Sequence, residues 1–133
     1  MSGFGIKVKG MVKSNGKYLI VKKWYDDNIF EPYKWEFLDA TMEYGNTPEQ
    51  TVIETVSDMT GLSVEIDRIL YTWTYYIGEK QYLGITYLCN VEDDMVVLSE
   101  ELQDYKWVDL SEFKEYIEND MVLNDINMAL KEN

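Results

Sequence analysis

Residues 35–62 read WEFLDATMEYGNTPEQTVIETVSDMTGL. The second half of this stretch is built to be a helix. Thr47 has an N-cap side chain, Pro48 fits the first helical position, and Gln50 is placed to complete a capping box. Val52, Ile53, Val56 and Met59 recur at helical spacing and form one apolar stripe. Gly61 is a good stop. The spacing therefore predicts a helix over about Pro48–Thr60. Around it lie the carboxylates Glu36, Asp39, Glu43, Glu54 and Asp58. Glu54 and Asp58 are four residues apart and share a helix face, where they repel without a cation between them. One reading is a solvated acidic face; the other is a metal site that draws on these acids and on Glu100 or Glu101.

Outward from this stretch the pattern changes from helix to strand. Ile6, Val8, Gly10 and Val12 alternate with Lys7, Lys9, Met11 and Lys13, as in a half-buried strand. Ser14-Asn15-Gly16 signals a tight turn into a second strand at Tyr18–Val21. Trp24 to Lys34 reads as a loop, and Lys34–Phe37 as a short extended piece. After the helix, Leu62–Ile77 and Gln81–Val91 form a long hairpin. Val96–Leu98 is short and extended, and Tyr105–Val108 is a last strand. Ser111 is placed to cap a short helix through Tyr116. A final amphipathic helix uses Val122, Ile126, Ala129 and Leu130. This order implies an α+β fold, an α/β/α sandwich with a mixed sheet flanked by helices.

A length of 133 residues suits one domain over 1–133, and a composition almost half hydrophobic suits a packed core. The formal net charge is −13, and the acids concentrate after Lys34, which argues against a nucleic acid polymer as partner. The absence of histidine removes Ser-His-Asp triads and His-ligated zinc. No apolar run approaches the ~20 residues that span a bilayer. Cys89 is the single cysteine, read as a small core residue, and MSGFGIKVKG lacks a signal peptide's apolar region. The expected address is the cytoplasm, with no membrane partner.

The quoted stretch resembles the signature of the Nudix hydrolases, G-x5-E-x7-R-E-U-x-E-E-x-G-U, where U is bulky and apolar. Its spacing holds over residues 40–62. The likeness extends to the two opening strands and to an acidic run, Leu98-Ser99-Glu100-Glu101, followed by the aromatic strand at Tyr105–Val108. The resemblance implies the Nudix fold. It also implies helix glutamates that bind Mg²⁺ or Mn²⁺, neutralise pyrophosphate and activate water. Trp35, Glu36, Phe37, Glu43, Gly45, Pro48, Val56, Gly61 and Leu62 keep the family's frame. Its chemical positions are substituted: Ala40 for glycine, Asn46 for glutamate, Glu54 for arginine, Thr55 for glutamate and Met59 for glutamate. Asp58 alone keeps an acid, one methylene shorter.

These residues imply a Nudix-family protein with a degenerate box and weak or no hydrolysis. It would act as a nucleotide-binding or protein-interaction module, with a homodimer among the options. The alternative is a Mg²⁺- or Mn²⁺-dependent hydrolase of a nucleoside diphosphate linked to another moiety, with Asp58 and Glu54 catalytic and Asp58, Glu54 and Glu43 as metal ligands. In either case the substrate side is assigned to Trp24, Lys34, Glu36 and Trp73, with Lys22 and Lys23 as further phosphate candidates and Tyr25, Tyr75 and Tyr76 as further aromatic ones.

Overall fold

A computed structural model describes residues 3–24, 34–118 and 120–130. Most of the expected loop, including Tyr25, lies outside them. Strands β1 (Gly3–Ser14) and β2 (Lys17–Lys23) are joined at Asn15-Gly16, both with positive φ, as the turn signal predicts. Then follow β3 (Trp35–Glu36), β4 (Leu38–Thr41), α1 (Pro48–Thr60), β5 (Glu65–Ile77), β6 (Lys80–Asn90) and β7 (Leu102–Val108). A 3-10 turn (Leu110–Glu112) leads into α2 (Phe113–Tyr116), and α3 (Asp120–Leu130) ends the described chain.

These strands form a mixed seven-stranded sheet in the order β3-β2-β1-β6-β5, with β4 on β1 and β7 on β2. The β1–β6 pair is parallel and runs unbroken from Gly3↔Lys80 to Lys13↔Asn90; the others are antiparallel. Alternation along β1 sends its residues to two cores. Val8 and Val12 join Leu19, Val21 and Leu38 under Val52 and Val56 of α1. Met11 joins Ile20, Phe37 and Leu88 under Phe113, Ile117, Ile126 and Leu130. The sheet thus lies between α1 and the α2–α3 pair, which is the expected sandwich. Gly10 lets α1 sit close: a Cβ there would stand 3.1 Å from Val52 Cγ1.

Several boundaries differ from the sequence reading. The strand after α1 begins at Glu65 and not Leu62, because Gly61 to Val64 leave the helix without pairing. Leu38–Thr41 is a strand, paired with Lys7–Gly10, where only Lys34–Phe37 was expected to be extended. Val96–Leu98 runs along the end of α1 and not in the sheet, where Val97 N–H and Ser99 N–H donate to Thr60 O and Met59 O, each at 2.9 Å. Those carbonyls would otherwise be the unsatisfied end of the helix. The turn into α2 is entered at Asp109 and not Ser111, with Glu112 Oε1 accepting from Asp109 N–H at 2.8 Å. No described helix is long and apolar enough to cross a membrane.

Candidate functional site

Two places carry the candidate functional side chains, one on α1 and one on the opposite face of the sheet.

On α1, the cap is as expected: Thr47 Oγ1 accepts from Gln50 N–H at 3.1 Å. The capping box closes differently. Asn46 Oδ1 takes Thr47 N–H at 2.9 Å, while Gln50 Nε2 donates to Glu54 Oε2 at 3.3 Å. Asn46 Nδ2 donates to Glu54 Oε1 at 3.2 Å, so two amides hold the Glu54 carboxylate over the first turns of the helix. Asp58 is exposed one turn later, and Glu43 is exposed in the preceding loop. Met59 packs against the core. Thr55 lines a void too small for water, together with Ala40's neighbours Leu38 and Asp39 and with Val8, Gly10, Val52 and Val56.

A resident divalent cation needs several hard oxygens converging on one point. Here the helix offers one neutral hydroxyl (Thr55), one thioether turned to the core (Met59), a solvent-facing Asp58 and a Glu54 engaged by amides. Among the described residues no three His, Cys, Asp or Glu side chains gather to hold a metal. The donor set on α1 does not fit Mg²⁺ or Mn²⁺.

On the other face, a cavity of about 450 Å³ opens between the sheet and α3. Lys9, Lys23, Glu36 and Asp39 form its floor, Tyr71, Trp73 and Tyr75 one wall, and Met121, Val122 and Asp125 of α3 another. Lys23 Nζ lies 2.7 Å from Asp39 Oδ1 and 3.2 Å from Glu36 Oε1, with all three side chains largely withdrawn from solvent. Burial alone would lower the Lys23 pKa, but Asp39 and then Glu36 outweigh it and push it up to about 12. Burial raises the Glu36 carboxyl, and the neighbouring Asp39 adds to this, against the pull of Lys23. Lys9 is different. Its ammonium stands 4.6 Å from the centroid of the Trp73 ring, and no carboxylate among the described residues reaches ion-pairing distance. Burial lowers its pKa despite the more distant Asp39 and Glu36.

The aromatic wall is a ladder. Trp73 and Tyr75 stack at 6.3 Å with rings 12° apart, and Tyr75 stacks on Tyr82 at 5.2 Å and 16°. Trp73 lies flat over Gly84, its cross-strand partner, where any Cβ would collide with the indole. Tyr71 Oη and Thr86 Oγ1, facing one another across β5–β6, are shut from solvent and lack a hydrogen-bond partner among the described residues. Burial raises the Tyr71 phenol, while the Thr86 hydroxyl beside it works the other way.

Of the residues expected on the substrate side, Lys34, Glu36 and Trp73 line this cavity, as do Lys23, Tyr75 and Tyr76. Lys34 Nζ also reaches Glu118 Oε1 at 3.4 Å. Trp24 is exposed at the end of β2 and does not line the cavity, and Lys22 lies over the Trp35 ring at 4.8 Å. Arg68 is exposed at a bulge of β5. Glu54 and Asp58 stay on α1, apart from the cavity; Asp39 borders both places. Sequence reasoning missed Lys9, Tyr71 and Asp125. Lys9 carried one usable signal, its place in the middle of a central strand.

A mixed sheet between a capped signature helix and a C-terminal helix pair, with a cavity on the face away from that helix, defines a Nudix-type domain. The NUDIX domain family model matches residues 6–126, and the chain belongs to the Nudix family. A curated relative, nucleoside triphosphatase NudI of Escherichia coli O139:H28, is 26% identical over 132 residues, covering 91% of this chain and 87% of its own. Among solved structures, a MutT protein from Methanosarcina mazei Go1 superimposes with a TM-score of 0.83 at 20% identity, covering 99% of this chain and 96% of its own. A C. elegans Ap4A hydrolase in a binary complex superimposes at 0.78 with 16% identity, over 92% of this chain and 93% of its own.

Proposed function

We propose that this Nudix-family protein, acting as a single domain over 1–133, binds a nucleoside phosphate derivative in the cavity between the sheet and α3, and hydrolyses it weakly or not at all. The observation that carries this reading is the contrast between the two places. The metal-ligand positions of α1 hold an amide-bound Glu54, a Thr, a core-packed Met and a solvent-facing Asp58. The cavity, in contrast, is furnished for a flat ring and an anion. Stacked Trp73 and Tyr75 offer a ring platform, a kind of contact worth ~1–3 kcal/mol per base. Lys9, Lys23 and Lys34 supply cations beside it. The relatives support the nucleoside class, since the names they carry are of a nucleoside triphosphatase and an Ap4A hydrolase.

The test is a pair of measurements on one preparation. Titration of nucleoside diphosphates, nucleoside diphosphate sugars and dinucleoside polyphosphates, followed by tryptophan fluorescence and calorimetry, should show binding that Trp73→Ala weakens. Incubation of the same compounds with Mg²⁺ or Mn²⁺ should release little or no phosphate. Rapid metal-dependent turnover that Asp58→Ala abolishes would overturn the reading in favour of a rearranged hydrolase site.

A further inference from the structure

The mismatch between α1 and a divalent metal raises the question of what compensates a phosphate that enters the cavity. Asp39 is where the two places meet: it borders the small void beside Thr55 and also the floor of the larger cavity. The group bound to Asp39 there is the Lys23 ammonium, which holds Glu36 as well. A cation therefore already sits at this junction, and it is covalently part of the chain. A lysine ammonium has three donors. Two are spent on Asp39 Oδ1 and Glu36 Oε1, and one is left over. Lys9, on the neighbouring strand, has its Trp73 ring contact and no carboxylate within ion-pairing distance among the described residues.

Resting on the nucleotide-binding reading, we propose that the cavity takes its ligand's phosphate as the metal-free anion, held between the Lys9 ammonium and the third donor of Lys23, so that divalent cations compete with the protein for the ligand. Three features converge on this. Lys23 holds both Glu36 and Asp39 and offsets one of their two negative charges, so both acids are already engaged where a metal would have to reach them. Lys9 is a cation in low-dielectric surroundings that gains from an anionic partner more than a solvated lysine would. A Mg²⁺ ion carried in on a pyrophosphate would be placed beside two ammonium groups, and that repulsion is weakly screened away from water. The ligand is then a nucleoside phosphate stripped of its metal: its phosphate draws the Lys9 ammonium off the Trp73 ring, and its own ring takes that face beside Tyr75.

The experiment is calorimetric titration of ADP and inorganic pyrophosphate into the full chain, in excess EDTA and in excess MgCl₂ at matched ionic strength. ADP should bind in EDTA and bind about tenfold or more weakly in Mg²⁺. Lys9→Met should weaken ADP binding in EDTA by about tenfold or more, as expected for loss of a charge-assisted hydrogen bond. Its circular dichroism should stay native, which separates lost contact from lost fold. ADP binding that appears only with Mg²⁺ overturns the inference and leaves the nucleotide-binding reading standing. Binding in EDTA that Lys9→Met leaves unchanged also overturns it. No binding by any nucleotide in either buffer overturns that reading and the inference together.

Discussion

A half-buried ammonium that rests on an indole, with no ion pair among the described residues, loses hydration that its neighbours only partly return. This is the condition of Lys9, and it has a sign. Its folded-state pKa is depressed below 10.5, so the stability linked to this group is fully present only above that pH and is lost as pH falls through the lowered value. At neutral pH, Lys9 therefore works against folding. Lys9→Met should stabilise the protein by about 1 kcal/mol in urea melts at pH 7, and the gain should shrink as the melts approach pH 10.5. Lys23 has the opposite sign. Its pKa is raised to about 12, so its contribution is complete below 10.5 and is lost as pH rises through 12. Lys23→Met strands two largely buried carboxylates and should cost about 2 kcal/mol or more at pH 7 by the same assay. The two lysines look alike in the sequence. Both sit in strands among other lysines, and what separates them is the helix above and the carboxylates beside them, which only the tertiary fold supplies.

At the scale of elements, α1 was the most legible part of the chain, because its limits are written in local chemistry. Thr47, Pro48 and Gly61 mark Pro48–Thr60 without help from any neighbour. Thr47→Ala should lower stability by ~1 kcal/mol through the lost cap, measured by denaturant unfolding. Gly10→Val places methyl groups where Val52 already approaches to 3.1 Å of a would-be Cβ, and should cost about 1–3 kcal/mol in the same assay as α1 is pushed from the sheet. Strand β4 was not legible. Leu-Asp-Ala-Thr has no alternation to distinguish it from a loop, and it is a strand because β1 offers Lys7–Gly10 as a partner. The polar side of β1 was misleading in the same way. Lys7 and Lys9 look solvent-facing until α3 is placed over that face, and nothing local to β1 records this. The α1 substitutions were readable by setting the sequence against the Nudix signature. That Asn46 and Gln50 both clasp Glu54 required coordinates.

For the whole molecule, a net charge of −13 on 133 residues means that compaction is opposed by self-repulsion. Added NaCl should raise the thermal midpoint, because the repulsion is screened within about a 10 Å Debye length at ~0.1 M; a midpoint that falls with salt would show that paired charges dominate. Cys89 lies in the core under α1, and burial pushes its thiol up to about 12. The parallel β1–β6 pair carries a consequence for how this protein is made. Gly3 meets Lys80 and Lys13 meets Asn90, so one whole edge of the central strand waits for a partner synthesised 77 residues later. Until then β1 can hairpin with β2, but its β6 edge presents open backbone. Topology of this kind slows folding toward the millisecond-to-second range and lengthens that exposure. The lysines at positions 7, 9 and 13 then serve the nascent chain as well, since charge spaced along an unpaired edge discourages its capture by another chain.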